Sequence, residues 1–269
     1  LYKRIKIGRD LFLPSHLLYA NDILLFGQPG KVAISCIKKM FTHYGEISGQ
    51  AISLDKSFEV FRNGMIISKQ NKIVRRHGVK KEVLPFTYLG MPMFWGKVKK
   101  CYHEGIAYSI IAQMASWKGK TMSHAGRIFL VNSVINSMFV YAFSIYRWPR
   151  ALIKEIQVLI RNFIWTASVN YNKLITVAWK DCILPIDLGG MGIKDLQMFN
   201  DALLCKYIWK LMTSNDISMD FLAHRFLLKL RNGYSGFLSL SIWPAFKYAY
   251  HEIMFFSKWL VCKDSYMNV

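Results

Sequence analysis

Asn21 and Asp22 stand side by side between two short apolar runs, His16-Leu17-Leu18-Tyr19 and Ile23-Leu24-Leu25-Phe26. Both types tolerate left-handed backbone, so the pair reads first as ordinary tight-turn chemistry. A second concentration of charge follows. Lys69, Lys72, Arg75, Arg76, Lys80, Lys81, Lys97, Lys99 and Lys100 are interrupted only by Glu82. Such a run is usually a solvated face, and it is also the pattern that neutralises phosphates. Tyr88, Phe94 and Trp95 sit among these bases, placed either to pack or to grip a strand. Other chemistries find little support. Cys36, Cys101, Cys182, Cys205 and Cys262 are far apart and include no C-x-x-C, which argues against a disulfide framework or a zinc site. They point to reduced, mostly buried thiols in an intracellular protein. His124 has no partner at a catalytic spacing. Gly189, Gly190 and Gly192 form no phosphate-binding fingerprint.

The elements that must position these residues are mixed. The two apolar runs around Ala20-Asn21-Asp22 predict a β-hairpin. Ile34, Ile37, Phe41 and Tyr44 predict a helix stopped by Gly49. Ser57–Phe61 alternates in the manner of a strand. From about Lys97 the pattern becomes helical. Ile106, Ile110, Met114 and Trp117 form one stripe. Ser123 is a candidate cap for the next helix, whose stripe is Val131, Val134 (or Ile135) and Met138. Trp148-Pro149 ends that region, and Ile156, Leu159, Ile160 and Phe163 mark another helix. Gly189–Gly192 is a turn, and Asp195–Met212 is helical again.

Composition sets the class of partner. The 269 residues carry 36 Lys and Arg against 16 Asp and Glu, a formal charge of +20 that attracts polyanions. Hydrophobic residues make up 53%, enough for a core. The stretch from Ile128 to Tyr146, between Arg127 and Arg147, contains no charge and is long enough to span a bilayer. Asn132, Ser133, Asn136, Ser137 and Ser144 interrupt it, which favours a core helix leading into an extended stretch. The chain starts at Leu1 without methionine, so we expect a piece of a longer polypeptide.

An ordered series of motifs resembles plant-type LINE (non-LTR retrotransposon) reverse transcriptases. Tyr19-Ala20-Asn21-Asp22 resembles the palm signature, in which an aromatic, an Ala and two Asp sit on a hairpin. Ser48-Gly49-Gln50 with Lys56-Ser57 resembles the next palm motif, and Tyr88-Leu89-Gly90-Met91-Pro92 the primer-grip segment. Trp117-Lys118 and Ser123-His124-Ala125-Gly126-Arg127 resemble the start of the thumb. Trp179, Cys182, Pro185, Gly189–Gly192, Asp195-Leu196, Phe199-Asn200 and Trp209 resemble the connector that follows. Ser241–Pro244 and Ser257–Trp259 are similar to its later landmarks.

The resemblance implies an α+β fold: a partial palm over residues 1–95, a helical thumb over 96–168 and a connector over 169–269. It implies an RNA-directed DNA polymerase that holds Mg²⁺ on palm carboxylates and binds an RNA template and a DNA primer. On this sequence the catalytic positions are Asn21, Asp22 and Lys56, with Asp22 the surviving metal ligand. The nucleic-acid-binding positions are Arg75, Arg76, Lys80, Lys81, Tyr88, Leu89, Gly90, Lys118 and Arg127. The first hairpin Asp is replaced by Asn21, and no upstream palm Asp is matched, Asp10 lying in unrelated surroundings. The expectation is a chain that does not hold Mg²⁺ or polymerise alone. A non-catalytic nucleic-acid-binding module is the alternative, and a membrane-inserted protein through residues 128–146 a remote one.

Overall fold

The structure is a computed structural model that describes residues 5, 13–28, 30–117, 119–170, 177–214, 217–233 and 241–257. It is α+β: helices with, among the described residues, three separate two-stranded sheets. The chain divides into two compact units, Leu1–Phe86 with Asn215–His224, and Thr87–Ser214 with Arg225–Val269.

In the first unit, β1 (His16–Tyr19) and β2 (Asp22–Leu25) pair antiparallel, with Tyr19 opposite Asp22. The expected hairpin forms, and within its turn Ala20, rather than Asn21 or Asp22, takes left-handed backbone at φ 47°. Helix α1 (Lys31–Ser48) stops at Gly49, which adopts φ 70° and donates its N–H to the Gly45 carbonyl. The expected stripe is present, yet only Ile34 of it is buried, with Ala33 beside it. Strands β3 (Phe58–Val60) and β4 (Lys80–Glu82) pair in parallel across helix α2 (Ile67–His77). That is a β-α-β crossover, the connection parallel neighbours require. Glu59, on the inner face of β3, contacts His77 at the end of α2.

The second unit begins with the pair β5 (Phe86–Tyr88) and β6 (Met91–Met93), the first residue of β5 closing the preceding unit. Its main helices are α3 (Lys100–Ser116), α4 (His124–Phe143), α5 (Arg150–Thr166), α6 (Leu196–Thr213) and α7 (Trp243–Phe256). Both foreseen caps form: Ser123 Oγ accepts from Gly126 N–H, and Asp195 from the N–H groups of Gln197 and Met198. The predicted stripe of α4 needs correction. A π turn at Val131–Ile135 lengthens the local repeat, so the inward residues are Val131, Ile135, Phe139 and Phe143. Phe139 is fully buried and Met138 is exposed. These residues pack with Ile110, Met114, Trp148, Ile156, Ile160 and Phe163 in one continuous core. Each such side chain stabilises the fold by ~1.5–3 kcal/mol.

The α4 helix is long and apolar enough to cross a membrane by length and composition. Its inward face is nevertheless built into this core. Asn136 is buried and donates to Asn132 Oδ1, and Asn132 donates to the Gly192 carbonyl. Ser133, Ser137 and Ser144 donate to the helix's own carbonyls. The polar residues that interrupt the apolar stretch are therefore spent on packing and on the helix itself. Gly192 belongs to the predicted glycine turn, which folds back on residues 182–184 through Met191 N–H to Cys182 O and Gly192 N–H to Leu184 O. A side chain on Gly190 would overlap the Leu184 backbone, which explains the residue without any phosphate.

Candidate nucleic-acid interface

In the first unit the β1–β2 hairpin presents both turn groups to solvent. Asn21, Asp22 and all four residues of β1 are exposed. Among the described residues no three His, Cys, Asp or Glu side chains come together as a metal-binding group. Lys56 lies exposed on the turn before β3, and Asp10 lies outside the described residues. The Ser48-Gly49-Gln50 motif is a helix stop, with Gln50 N–H donating to Ser48 Oγ and Tyr44 OH donating to Gln50 Oε1.

The basic run acquires a form that sequence periodicity did not foresee. Helix α2 contains no acidic residue. At positions i, i+3 and i+7, Lys69, Lys72 and Arg76 share one face of it, with Arg75 flanking. Lys69, Lys72 and Arg75 are exposed, and Arg76 is partly so. Lys80 and Lys81 extend the charge onto β4, both exposed. Among the described residues none of these six cations enters an ion pair. The placement of Arg75, Arg76 and His77 in the last turn also suits the negative end of the helix dipole, which helps α2 form in a segment of low apolar content.

In the second unit, Leu89 and Gly90 form the two-residue turn between β5 and β6 at φ 49° and 76°. Left-handed backbone at a leucine is held there against a cost of ~1–2 kcal/mol, so the surrounding structure dictates the turn. The anchors are clear. Tyr146 OH donates to the Pro92 carbonyl at 2.9 Å, and buried Phe94 packs on Tyr102, His103 and Tyr146. Burial pushes the Tyr146 phenol up. Tyr88 is half-buried. Arg127 turns inward and its Nη1 donates to the Phe163 carbonyl at 3.3 Å, fastening α4 to the end of α5. Lys118 lies outside the described residues.

Three side-chain groupings carry more of this geometry than their sequence context suggested. His103 is fully buried, its Nδ1 at 3.3 Å from the Lys99 carbonyl, and burial holds it below the ordinary imidazole range. Asn200 is also fully buried. Its Oδ1 accepts from Trp148 N–H, and its Nδ2 donates to the carbonyls of Phe143 and Tyr146, which closes the bend between α4 and α5. Asn200 was visible only as part of a motif, with no hint of this task. The third cluster joins Arg147 to Asp201, with the guanidinium 3.5 Å from the Tyr248 ring. Burial, then Asp201 and Glu252, push Tyr248 up to about 12. The thiols depart from expectation: Cys36 and Cys101 are exposed, Cys205 is intermediate and only Cys182 is buried, while Cys262 lies outside the described residues.

No family model matches the chain. Two curated proteins of Arabidopsis thaliana are similar to it. One, named as a ribonuclease H protein, is 30% identical over 122 residues, 45% of this chain and 20% of that protein. The other, named as an uncharacterized mitochondrial protein, is 38% identical over 74 residues, 27% of this chain and 48% of that protein. The matched regions thus span a fifth and about half of the length of these relatives.

Proposed function

We propose that this chain is a fragment of a retrotransposon RNA-directed DNA polymerase of the LINE class, binding nucleic acid without polymerising on its own. The observation that carries the binding is the acid-free α2 face continued by Lys80 and Lys81, six cations outside any ion pair among the described residues. The ordered motifs from Tyr19 to Pro244 support the family, and the ribonuclease H name of one relative accords with a nucleic-acid partner.

The same residues argue against catalysis by the chain alone. Two-metal nucleotidyl transfer needs several carboxylates around two Mg²⁺ ions. The hairpin offers Asp22, and Asn21 supplies an oxygen without the charge. The described residues therefore do not fit that centre, and no catalytic step is assigned to them. In the longer polypeptide we envisage, further palm strands would cover the exposed hairpin and bring the remaining carboxylates.

Primer extension tests the first half of this reading. With Mg²⁺ or Mn²⁺ the purified chain gives no template-dependent product, and neither does the Asn21→Asp variant; extension by either would place a complete site within these residues. Binding tests the second half. The wild type should bind duplex nucleic acid with Kd of ~10⁻⁴ to 10⁻⁶ M at physiological salt. Replacing Arg75, Arg76, Lys80 and Lys81 with Ala should weaken binding and flatten the log–log salt slope by up to roughly 3.6. An unchanged slope would move the contact elsewhere.

A further inference from the structure

Two adjacent aromatics after β6 have opposite fates. Phe94 is 7% exposed and wedged among Tyr102, His103 and Tyr146, whereas Trp95 is 58% exposed, the most exposed tryptophan among the described residues. The backbone that presents it is fixed on both sides. Phe94 and the Tyr146–Pro92 hydrogen bond hold the preceding strand, and Gly96 turns the chain at φ 89° before α3. Met93, two residues earlier, is also exposed at 38%. The sequence on either side of the ring is basic. From Val83 to His103 the sequence contains no acid, and Lys97 and Lys99 are exposed. A large indole face left in water at a fixed position forgoes burial that a partner covering it would gain.

We propose that Trp95 is a stacking platform for an unpaired base of a single-stranded polynucleotide, with Lys97 and Lys99 on its flanking phosphates. The inference rests on the nucleic-acid reading above and deepens it from charge neutralisation to recognition of bases. A flat indole amid cations suits a base joined to phosphates better than a protein surface: every base has a π face, and the lysines attract its backbone. The stack is tolerant of sequence because it uses ring faces and no base edges.

The test compares a 12-nucleotide oligothymidylate with an abasic 12-mer of the same charge, each fluorescently labelled, by anisotropy. Wild-type chain should bind the base-bearing strand more tightly. Trp95→Ala should lower that affinity roughly 5- to 150-fold toward the abasic value, and leave abasic binding and the salt slope unchanged. Trp95→Phe should restore part of the loss, which a merely disturbed loop would not. Equal weakening on both strands, or no weakening on either, overturns the platform. A Trp95→Ala change in oligomeric state with unchanged oligothymidylate affinity overturns it in favour of a protein contact. Failure of the wild type to bind either strand refutes the nucleic-acid reading itself, a result distinct from all of these.

Discussion

The two units dispose their apolar residues in opposite ways. In the second, the faces of α3, α4 and α5 close on one another around Phe139, Phe143 and Trp148, all nearly inaccessible to water. In the first, Ala33, Ile34 and Gln70 are the buried residues among those described, while Leu17, Leu18, Tyr19, Ile23, Met40, Tyr44 and Ile47 are exposed. Both obey their local rules for turns, caps and periodicity. The difference is whether each apolar face finds a counterpart. Two-stranded sheets are marginal unless a further strand or a helix covers them, and among its described residues the first unit has two such sheets. Its hairpin carries the exposed Asn21-Asp22 pair, so the turn proposed as a catalytic remnant lies in the unit that does not complete its own core.

The largest effect that would sharpen this contrast is a pair of truncations. Phe143→Ala should cost ~3–5 kcal/mol in denaturant unfolding, because the ring is fully buried between Phe139, Trp148 and Phe199. Phe41→Ala, on the half-covered face of α1, should cost about 1 kcal/mol or less. Equal costs would break the comparison. Next, Asn200→Ala should cost about 3 kcal/mol, since Trp148 N–H and two carbonyls lose buried partners together. Urea midpoints measure it, and a loss below 1 kcal/mol would show that water replaces the clamp.

A smaller effect depends on pH. Burial depresses the folded-state pKa of His103 below 6.5, so the unfolded chain takes up that proton first as pH falls. The stability held by neutral His103 is therefore complete above pH 6.5 and is lost as pH drops toward the folded value, by at most ~1.4 kcal/mol per unit. His103→Phe should remove that component of the pH dependence between pH 7 and 5. A variant with the same slope as wild type would assign the effect to other groups. Smallest of all, Leu89→Gly should shift stability by within about 1 kcal/mol, relief of the left-handed leucine being offset by a freer unfolded chain. A larger destabilisation would mean that the leucine side chain itself holds the turn.

The sequence revealed features whose causes are local. The hairpin at Asn21, the Gly49 stop, the caps at Ser123 and Asp195 and the stripe of α5 follow from neighbours a few residues apart. Helix α2 was hidden because its cations mask the few apolar residues, Ile67, Ile73 and Val74, that give it periodicity. The parallel β3–β4 pairing is non-local, and the π turn in α4 moved the stripe from Met138 to Phe139 by one residue. At the candidate site the basic residues were readable as charge, but their shared helical face was not. Arg127 looked like a free cation because nothing in its motif shows the Phe163 carbonyl it meets. The exposure that distinguishes Trp95 from Phe94 likewise has no sequence signature, since both stand in one short aromatic pair.

Native-state hydrogen exchange on the whole chain tests most directly the claim that one unit closes its own core and the other does not. Amides of α3, α4 and α5 should exchange only through global opening, with protection equal to the unfolding free energy. Amides of β1, β2 and α1 should exchange through local opening at least ~2 kcal/mol below that level. Protection of β1 and α1 equal to that of α4 would contradict the account, because the hairpin would then sit in a closed fold of its own.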